Sequence, residues 1–220
     1  MHGEATDEYG RAARAARLRG LYVITPDADD TARLVARVEA AIDGGARAVQ
    51  YRNKSAPAEL KRAQAYALAV LCRSRDVLYV INDDADLAAV VNADGVHLGE
   101  EDVDVARARD IVGSRAIIGA SCYNDLARAR TLADAGADYL AFGSLYPSVV
   151  KPGARRAPLD LLRAARALGL PIVGIGGIDA DNAADVIEAG ADAVAVISAV
   201  FDDDDVESAA ERIVLAIEDA

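Results

Sequence analysis

Gly190-Ala191-Asp192-Ala193-Val194-Ala195-Val196-Ile197-Ser198 reads as the end of a helix followed at once by a buried strand. Gly190 suits the left-handed turn that stops a helix, and the run after Asp192 is almost wholly apolar. The same turn recurs upstream as Gly136-Ala137-Asp138-Tyr139, Ala93-Asp94-Gly95-Val96 and Gly45-Ala46-Arg47-Ala48-Val49. These copies open the second, fourth, sixth and eighth of a series of strand-like runs, so one unit repeats along the chain.

The runs are 21–25, 48–52, 77–82, 95–99, 116–121, 139–143, 171–176 and 193–198. Between them lie Ala-, Leu- and Arg-rich segments of helical period; Val35, Val38, Ala41 and Ile42 fall at the three- and four-residue steps that share a helix face. Strands apolar on both sides need helices over them, as in a parallel sheet. An open doubly wound sheet can use the same turn. Eight units in a row, with no second domain and no edge strand, instead predict a single-domain α/β fold, the (β/α)₈ or TIM barrel, over residues 20–220. Residues 1–19, with Arg11, Arg14, Arg17 and Arg19, lack the apolar run of a signal peptide; they are expected as a polar helix near 9–18 leaning on the barrel, or as a tail.

The chain's 220 residues, 53% of them apolar, suffice for one such core. Acids outnumber bases 36 to 24, for a net charge of −12. That field disfavours nucleic acid and anionic membranes as partners, and leaves any phosphate site to a local cluster of bases. No run is apolar enough to span a bilayer. Cys72 and Cys122 show no metal-ligand spacing, so reduced thiols and a cytoplasmic location are expected. Whether the chain is a monomer or a homo-oligomer is left open.

Barrels of this kind carry their chemistry at the strand C-termini. Polar residues gather there: Thr25, Gln50, Arg52, Asn53 and Lys54, Asn82 and Asp83, Asp102, Ser121, then Gly176-Gly177 and Ile197-Ser198. Gln50, Arg52 and Lys54 alternate, so in an extended segment they share one side, a site for a polyanion. Asp83 and Asp102 follow neighbouring strands and suit Mg²⁺ beside a phosphate; the competing reading makes Asp102 a cap of the next helix, with Asp84 or Asp86 capping the one before. The glycines after the seventh strand expose bare amides for a phosphate. Fourteen residues separate Gly143 from Pro158, among them Lys151, Arg155 and Arg156, which predicts a closing loop. His97 is expected as a packed, hydrogen-bonded core residue. Cys122 can face the site but has no partner base, so no nucleophilic role follows.

In these segments the chain resembles the thiamine phosphate synthase family. The matching stretches are Tyr22–Thr25, Val49–Lys54, Val80–Asp83, Asp94–Asp102, Gly119–Ser121, Gly136–Tyr139, Lys151, Val173–Ile178 and Ala195–Ser198, in order over nearly the whole barrel. The resemblance implies a transferase joining a hydroxymethylpyrimidine diphosphate to a hydroxyethylthiazole phosphate. It implies that Gln50, Arg52, Lys54, Asn82 and Lys151 hold the pyrimidine diphosphate, with Arg52, Lys54 and Lys151 stabilising the leaving group. Ser121 then lies near the pyrimidine, Asp83 and Asp102 hold Mg²⁺, and Gly177, Ile197 and Ser198 bind the thiazole phosphate. The chain departs from the family at Ser148-Val149-Val150-Lys151: two threonines usually precede the lysine, Ser148 keeps a hydroxyl and Val150 does not. After Ser121, Cys122-Tyr123 stands where many relatives carry a histidine two residues on. The alternatives are a thiazole tautomerase, which needs neither diphosphate clamp nor metal pair, and a non-catalytic binder of thiamine precursors.

Overall fold

Gly136 and Gly190 take φ of +95° and +103°, the left-handed turn that the repeat requires before β6 and β8. In the third copy that duty falls to Asn92, at φ +53°, while Gly95 serves a close approach to Ile117 of the neighbouring strand. The aspartate of the repeat has a role of its own. Asp94, Asp138 and Asp192 each accept, through one carboxylate oxygen, the amide of Tyr79, Ile118 or Ile172 at the start of the preceding strand. Each of these three aspartates therefore ties two strand starts together; the copy before β2 has Arg47 in that place.

The structure, a computed structural model, describes residues 10–147 and 156–220. Eight parallel strands, β1 (Gly20–Ile24), β2 (Ala48–Tyr51), β3 (Leu78–Asn82), β4 (Gly95–Leu98), β5 (Ile117–Tyr123), β6 (Tyr139–Phe142), β7 (Ile172–Ile175) and β8 (Ala193–Val196), pair in order. The barrel closes where β8 meets β1, with Gly20 opposite Ala193 and Val23 opposite Val196. The helices are α1 (Thr31–Asp43), α2 (Ala58–Ser74), α3 (Ala85–Val91), α4 (Val105–Val112), α5 (Leu126–Asp134), α6 (Asp160–Ala165), α7 (Ala183–Glu188), α8 (Ser198–Phe201) and α9 (Val206–Glu218). Asp30, Asp84, Asp104, Asp125 and Asp205 accept first-turn amides of α1, α3, α4, α5 and α9. Part of the acidic excess is thus spent on helix caps, each worth about 1 kcal/mol.

Alternation along the strands separates two apolar layers. One lies between strands and helices; the other fills the lumen with Tyr22, Leu78, Val80, Ile117, Tyr139 and Val173 among its members. Gly119 lies opposite Tyr139, and a Cβ there would fall inside the tyrosine ring. Gly119→Ala should therefore lower stability by about 3 kcal/mol through overpacking, read as a lower urea midpoint; an unchanged midpoint would show that Tyr139 can move aside at no cost.

At the strand-start end, residues 10–15 are helical, and Ala15 and Leu18 pack against the lumen cluster. Arg11 bonds Asp138 at 2.7 Å, Arg14 approaches Asp94 at 3.4 Å and Arg17 pairs with Asp76 at 2.9 Å. The expected polar helix therefore closes the floor of the barrel. A cavity of about 500 Å³ lies beside it, at the end opposite the gathered polar residues.

Candidate active site

Each strand that lines the lumen projects its last inward residue toward one end. Gln50 comes two residues after Ala48, Asn82 two after Val80, and Ile197 two after Ala195. Gln50 is buried, and its Nε2 donates to Tyr22 Oη at 2.7 Å.

Arg52 and Lys54 do not continue that alternation. β2 ends at Tyr51 and the backbone bends at Lys54, so the strand alternation expected to align Arg52 and Lys54 with Gln50 stops before them. Thr25 Oγ1 both donates to Arg52 O and accepts from Arg52 N, each at 2.8 Å. Asp27 Oδ1 accepts from Arg52 Nη1 at 3.1 Å and from Lys54 N at 3.0 Å. Burial acts to raise the Asp27 pKa, but the Lys54 amide, the Arg52 charge and Ser55 outweigh it and hold the carboxyl below its usual range. Lys54 Nζ reaches across to Asp83 Oδ2 at 3.5 Å.

That contact joins the cationic loop to the carboxylate pair. Asp83 sits in the left-handed region at φ +66°, its amide donating to His97 O at 2.8 Å, a strained placement that the turn after β3 imposes. Burial first, and then Asp102 beside it, push the Asp83 pKa up; Lys54 offsets part of this. Asp102 Oδ2 accepts from Gly99 N at 2.6 Å. It does not cap α4, which Asp104 does, whereas Asp84 does cap α3. Among the described residues no group of three or more His, Cys, Asp or Glu assembles. Two neighbouring carboxylates, one of them paired with an exposed lysine, still fit Mg²⁺, which takes one or two carboxylates and completes its shell with phosphate oxygens and water.

On the adjoining ends of β7 and β8 stand Gly177, Ile197 and Ser198, with Ser198 opening α8. The glycines have a use beyond bare amides. Leu145 N and Tyr146 N donate to Ile175 O and Gly176 O at 3.0 and 2.9 Å, laying the segment after β6 along β7. A Cβ on Gly176 would collide with Ser144, and one on Gly177 with Tyr146 and Pro147. Ser148, Val150 and Lys151, and with them residues 148–155 of the expected closing loop, lie outside the described residues, as do residues 1–9.

β5 runs two residues further than expected, to Tyr123. His97 is buried; its Nδ1 lies 3.0 Å from Tyr139 Oη and its Nε2 2.9 Å from Ser121 Oγ, so it is the packed core histidine expected. Burial lowers its pKa to about 4, against a small opposing pull from Asp102. Because the unfolded chain binds this proton near the ordinary pKa of about 6.5 and the native state does not, His97 supports the fold above that pH. In metal-free buffer its contribution, about 3 kcal/mol, should be lost as pH falls from about 6.5 to 4; denaturant melts of wild type against His97→Gln would show no such difference if the histidine titrates normally.

Cys122 does not face the site. It belongs to the layer between strands and helices, one residue out of step with Ser121, and burial pushes its thiol up to about 12. Burial does the same to Cys72. Neither thiol should react with a disulfide reagent at pH 8 until the chain is unfolded, when both should; rapid native labelling would contradict their burial.

Two neighbours of the site escape a sequence reading. Asp27 follows Pro26 in the turn after β1 and looks like any turn aspartate. Arg128 of α5 donates from Nε to Ser121 O at 2.9 Å and stands 5.7 Å over the Tyr123 ring, but nothing marks it among the other helical arginines.

A closed barrel with a cationic loop after β2, paired carboxylates after β3 and β4 and a glycine-built end on β7 has the form of a transferase acting on phosphorylated small molecules. Residues 21–200 match the family described as thiamine monophosphate synthase. The thiamine-phosphate synthase of Methylobacillus flagellatus is 55% identical over 195 residues, 89% of this chain and 93% of its own. That of Chromobacterium violaceum is 52% identical over 197 residues, 90% and 95% of the two chains. Among solved structures, thiamine phosphate pyrophosphorylase from Pyrococcus furiosus superposes with a TM-score of 0.83 at 39% identity, covering 93% of this chain and 98% of that one. The chain belongs to the thiamine monophosphate synthase family. No helix among the described residues is long and apolar enough to cross a membrane.

Proposed function

We propose that the chain is a thiamine-phosphate synthase, acting on a hydroxymethylpyrimidine diphosphate and a hydroxyethylthiazole phosphate. The C–O bond between the pyrimidine methylene and the diphosphate breaks with both electrons leaving on oxygen. The resulting pyrimidine methyl cation is captured by the thiazole nitrogen, giving thiamine phosphate and diphosphate. Such a reaction needs no strong general base, in keeping with a histidine that burial holds neutral.

The growing negative charge must instead be met by fixed cations. Arg52, anchored by Thr25 and Asp27, offers a forked donor to phosphate oxygens, and Lys54 a point charge. Gln50, Asn82 and Lys151 join them in this reading to hold the pyrimidine diphosphate, Ser121 lies near the pyrimidine, Gly177, Ile197 and Ser198 hold the thiazole phosphate, and Ser148 and Val150 complete the substrate-binding set. Bound by Asp83 and Asp102, Mg²⁺ supplies further positive charge to the leaving diphosphate. The observation that carries the proposal is the 3.5 Å approach of Lys54 to Asp83, which brings cationic loop and carboxylate pair to one place. A thiazole tautomerase needs neither.

Incubating the purified protein with both substrates, with and without Mg²⁺, tests this. Stoichiometric, Mg²⁺-dependent thiamine phosphate and diphosphate are expected. Isomerised thiazole phosphate, or binding without turnover, would replace the synthase with the tautomerase or the binding protein.

A further inference from the structure

Five side chains from five strands touch one another in sequence inside the barrel. Gln50 Nε2 donates to Tyr22 Oη at 2.7 Å, and the hydroxyls of Tyr22 and Tyr139 lie 3.1 Å apart. Tyr139 Oη is 3.0 Å from His97 Nδ1, and His97 Nε2 is 2.9 Å from Ser121 Oγ. Tyr22, Gln50, Tyr139 and His97 are all buried, so the row crosses the lumen away from bulk solvent. Its two ends, Gln50 and Ser121, both belong to the set assigned above to the pyrimidine diphosphate, with Ser121 placed near the pyrimidine.

Hydrogen counting gives the row a direction. A tyrosine hydroxyl has one hydrogen and a neutral imidazole has one N–H. With Gln50 donating to Tyr22, Tyr22 must donate to Tyr139, and Tyr139 to His97 Nδ1. The imidazole hydrogen then sits on Nε2 and goes to Ser121 Oγ, which leaves the serine hydrogen unused by the row. Reversing the Gln50 amide reverses every bond, and the serine hydrogen is consumed inside. A mixed arrangement leaves a hydrogen-bonded position without a hydrogen, or two hydrogens facing each other, both costly in a buried site.

We infer that this row runs from Gln50 to Ser121, that His97 is a positioning residue held as its Nε2–H tautomer, and that Ser121 thereby presents its hydroxyl hydrogen to a lone pair on the pyrimidine ring. The same direction leaves the Gln50 carbonyl oxygen and its second N–H unspent by the row. The identity of the ligand rests on the synthase reading; the tautomer does not.

The chain has two histidines, His2 and His97. In a His2→Gln protein labelled with ¹⁵N-histidine, the remaining imidazole without ligand should show a bare, hydrogen-bonded Nδ1 and a protonated Nε2. A protonated Nδ1 would overturn the inference. Tyr139→Phe keeps the ring and removes the hydroxyl. It should shift the Nδ1 resonance to that of an unbonded nitrogen and weaken binding of the pyrimidine diphosphate about tenfold, with thiazole phosphate binding unchanged. Equal losses for both ligands, or no loss, would reduce the row to a packing device. Tyr22→Phe, one link further away, provides the same selective readout should Tyr139→Phe fail to fold. A protein with the expected tautomer and no synthase activity would sink the functional reading alone; a productive enzyme with a protonated Nδ1 would sink this inference alone.

Discussion

Asp83→Asn is expected to lower kcat by about a hundred- to a thousandfold and to flatten the dependence of rate on Mg²⁺, while leaving the metal-free fold as stable as wild type or slightly more so. Asparagine tolerates the left-handed backbone that Asp83 adopts at φ +66°, so the substitution need not disturb the turn after β3. It removes a carboxylate whose pKa is already raised by burial first and then by Asp102 beside it. Loss of activity accompanied by unchanged or improved stability is the signature of a charge held in place for a ligand. Steady-state rates over a Mg²⁺ titration, together with thermal melts without metal, provide both halves. A variant with full Mg²⁺ dependence would exclude Asp83 from the metal.

Arg52→Ala should cost about a thousandfold in kcat/KM for the pyrimidine diphosphate, more than loss of the cation alone suggests, because it strands Asp27. In the wild type that carboxylate is answered by Arg52 Nη1 and the Lys54 amide. Without the guanidinium, its charge faces an incoming polyanion in a protein whose net charge is already −12. Adding Asp27→Asn to Arg52→Ala should therefore recover about tenfold, an interaction that a double-mutant cycle measures directly. A double variant no better than the single one would confine Asp27 to holding the loop. Arg52→Lys should not rescue, since a point charge lacks the forked geometry.

Much of this architecture could be read before any coordinates. Parallel strands buried on both faces write long apolar runs, and their positions came within a residue or two because helix stops such as Gly190 abut them. Eight units in a row marked closure, with the Gly-Ala-Asp repeat in support, although the aspartate's grip on the preceding strand start was invisible: it depends on which strand lies alongside. Position at the strand ends was legible for residues that stay on strand parity, as Gln50 and Asn82 do. Beyond the end of β2 a period-two count no longer applies, so the contacts of Arg52 and Lys54 with Asp27 and Asp83 could not be read from the sequence. Cys122 was one step out of phase with Ser121, and a period-two count from Gly119 already puts it on the outer layer. Asp27 acts on Arg52 and Lys54 in the next unit, and Arg128 reaches back along its own unit to Ser121 and Tyr123; no local pattern announces either contact.

The pairing of β1 with β8 also bears on how the protein is made. A ribosome releases Gly20–Ile24 long before Ala193–Val196, so the first strand must wait with one edge bare while most of the chain is synthesised. Arg11 and Gly20 likewise await Asp138 and Asp192, their partners on strand starts still to come. A message cut short before the codon for residue 193 would yield a sheet with two open edges and an unsealed floor, a form suited to aggregation or to chaperone capture, however complete its cationic loop and carboxylate pair.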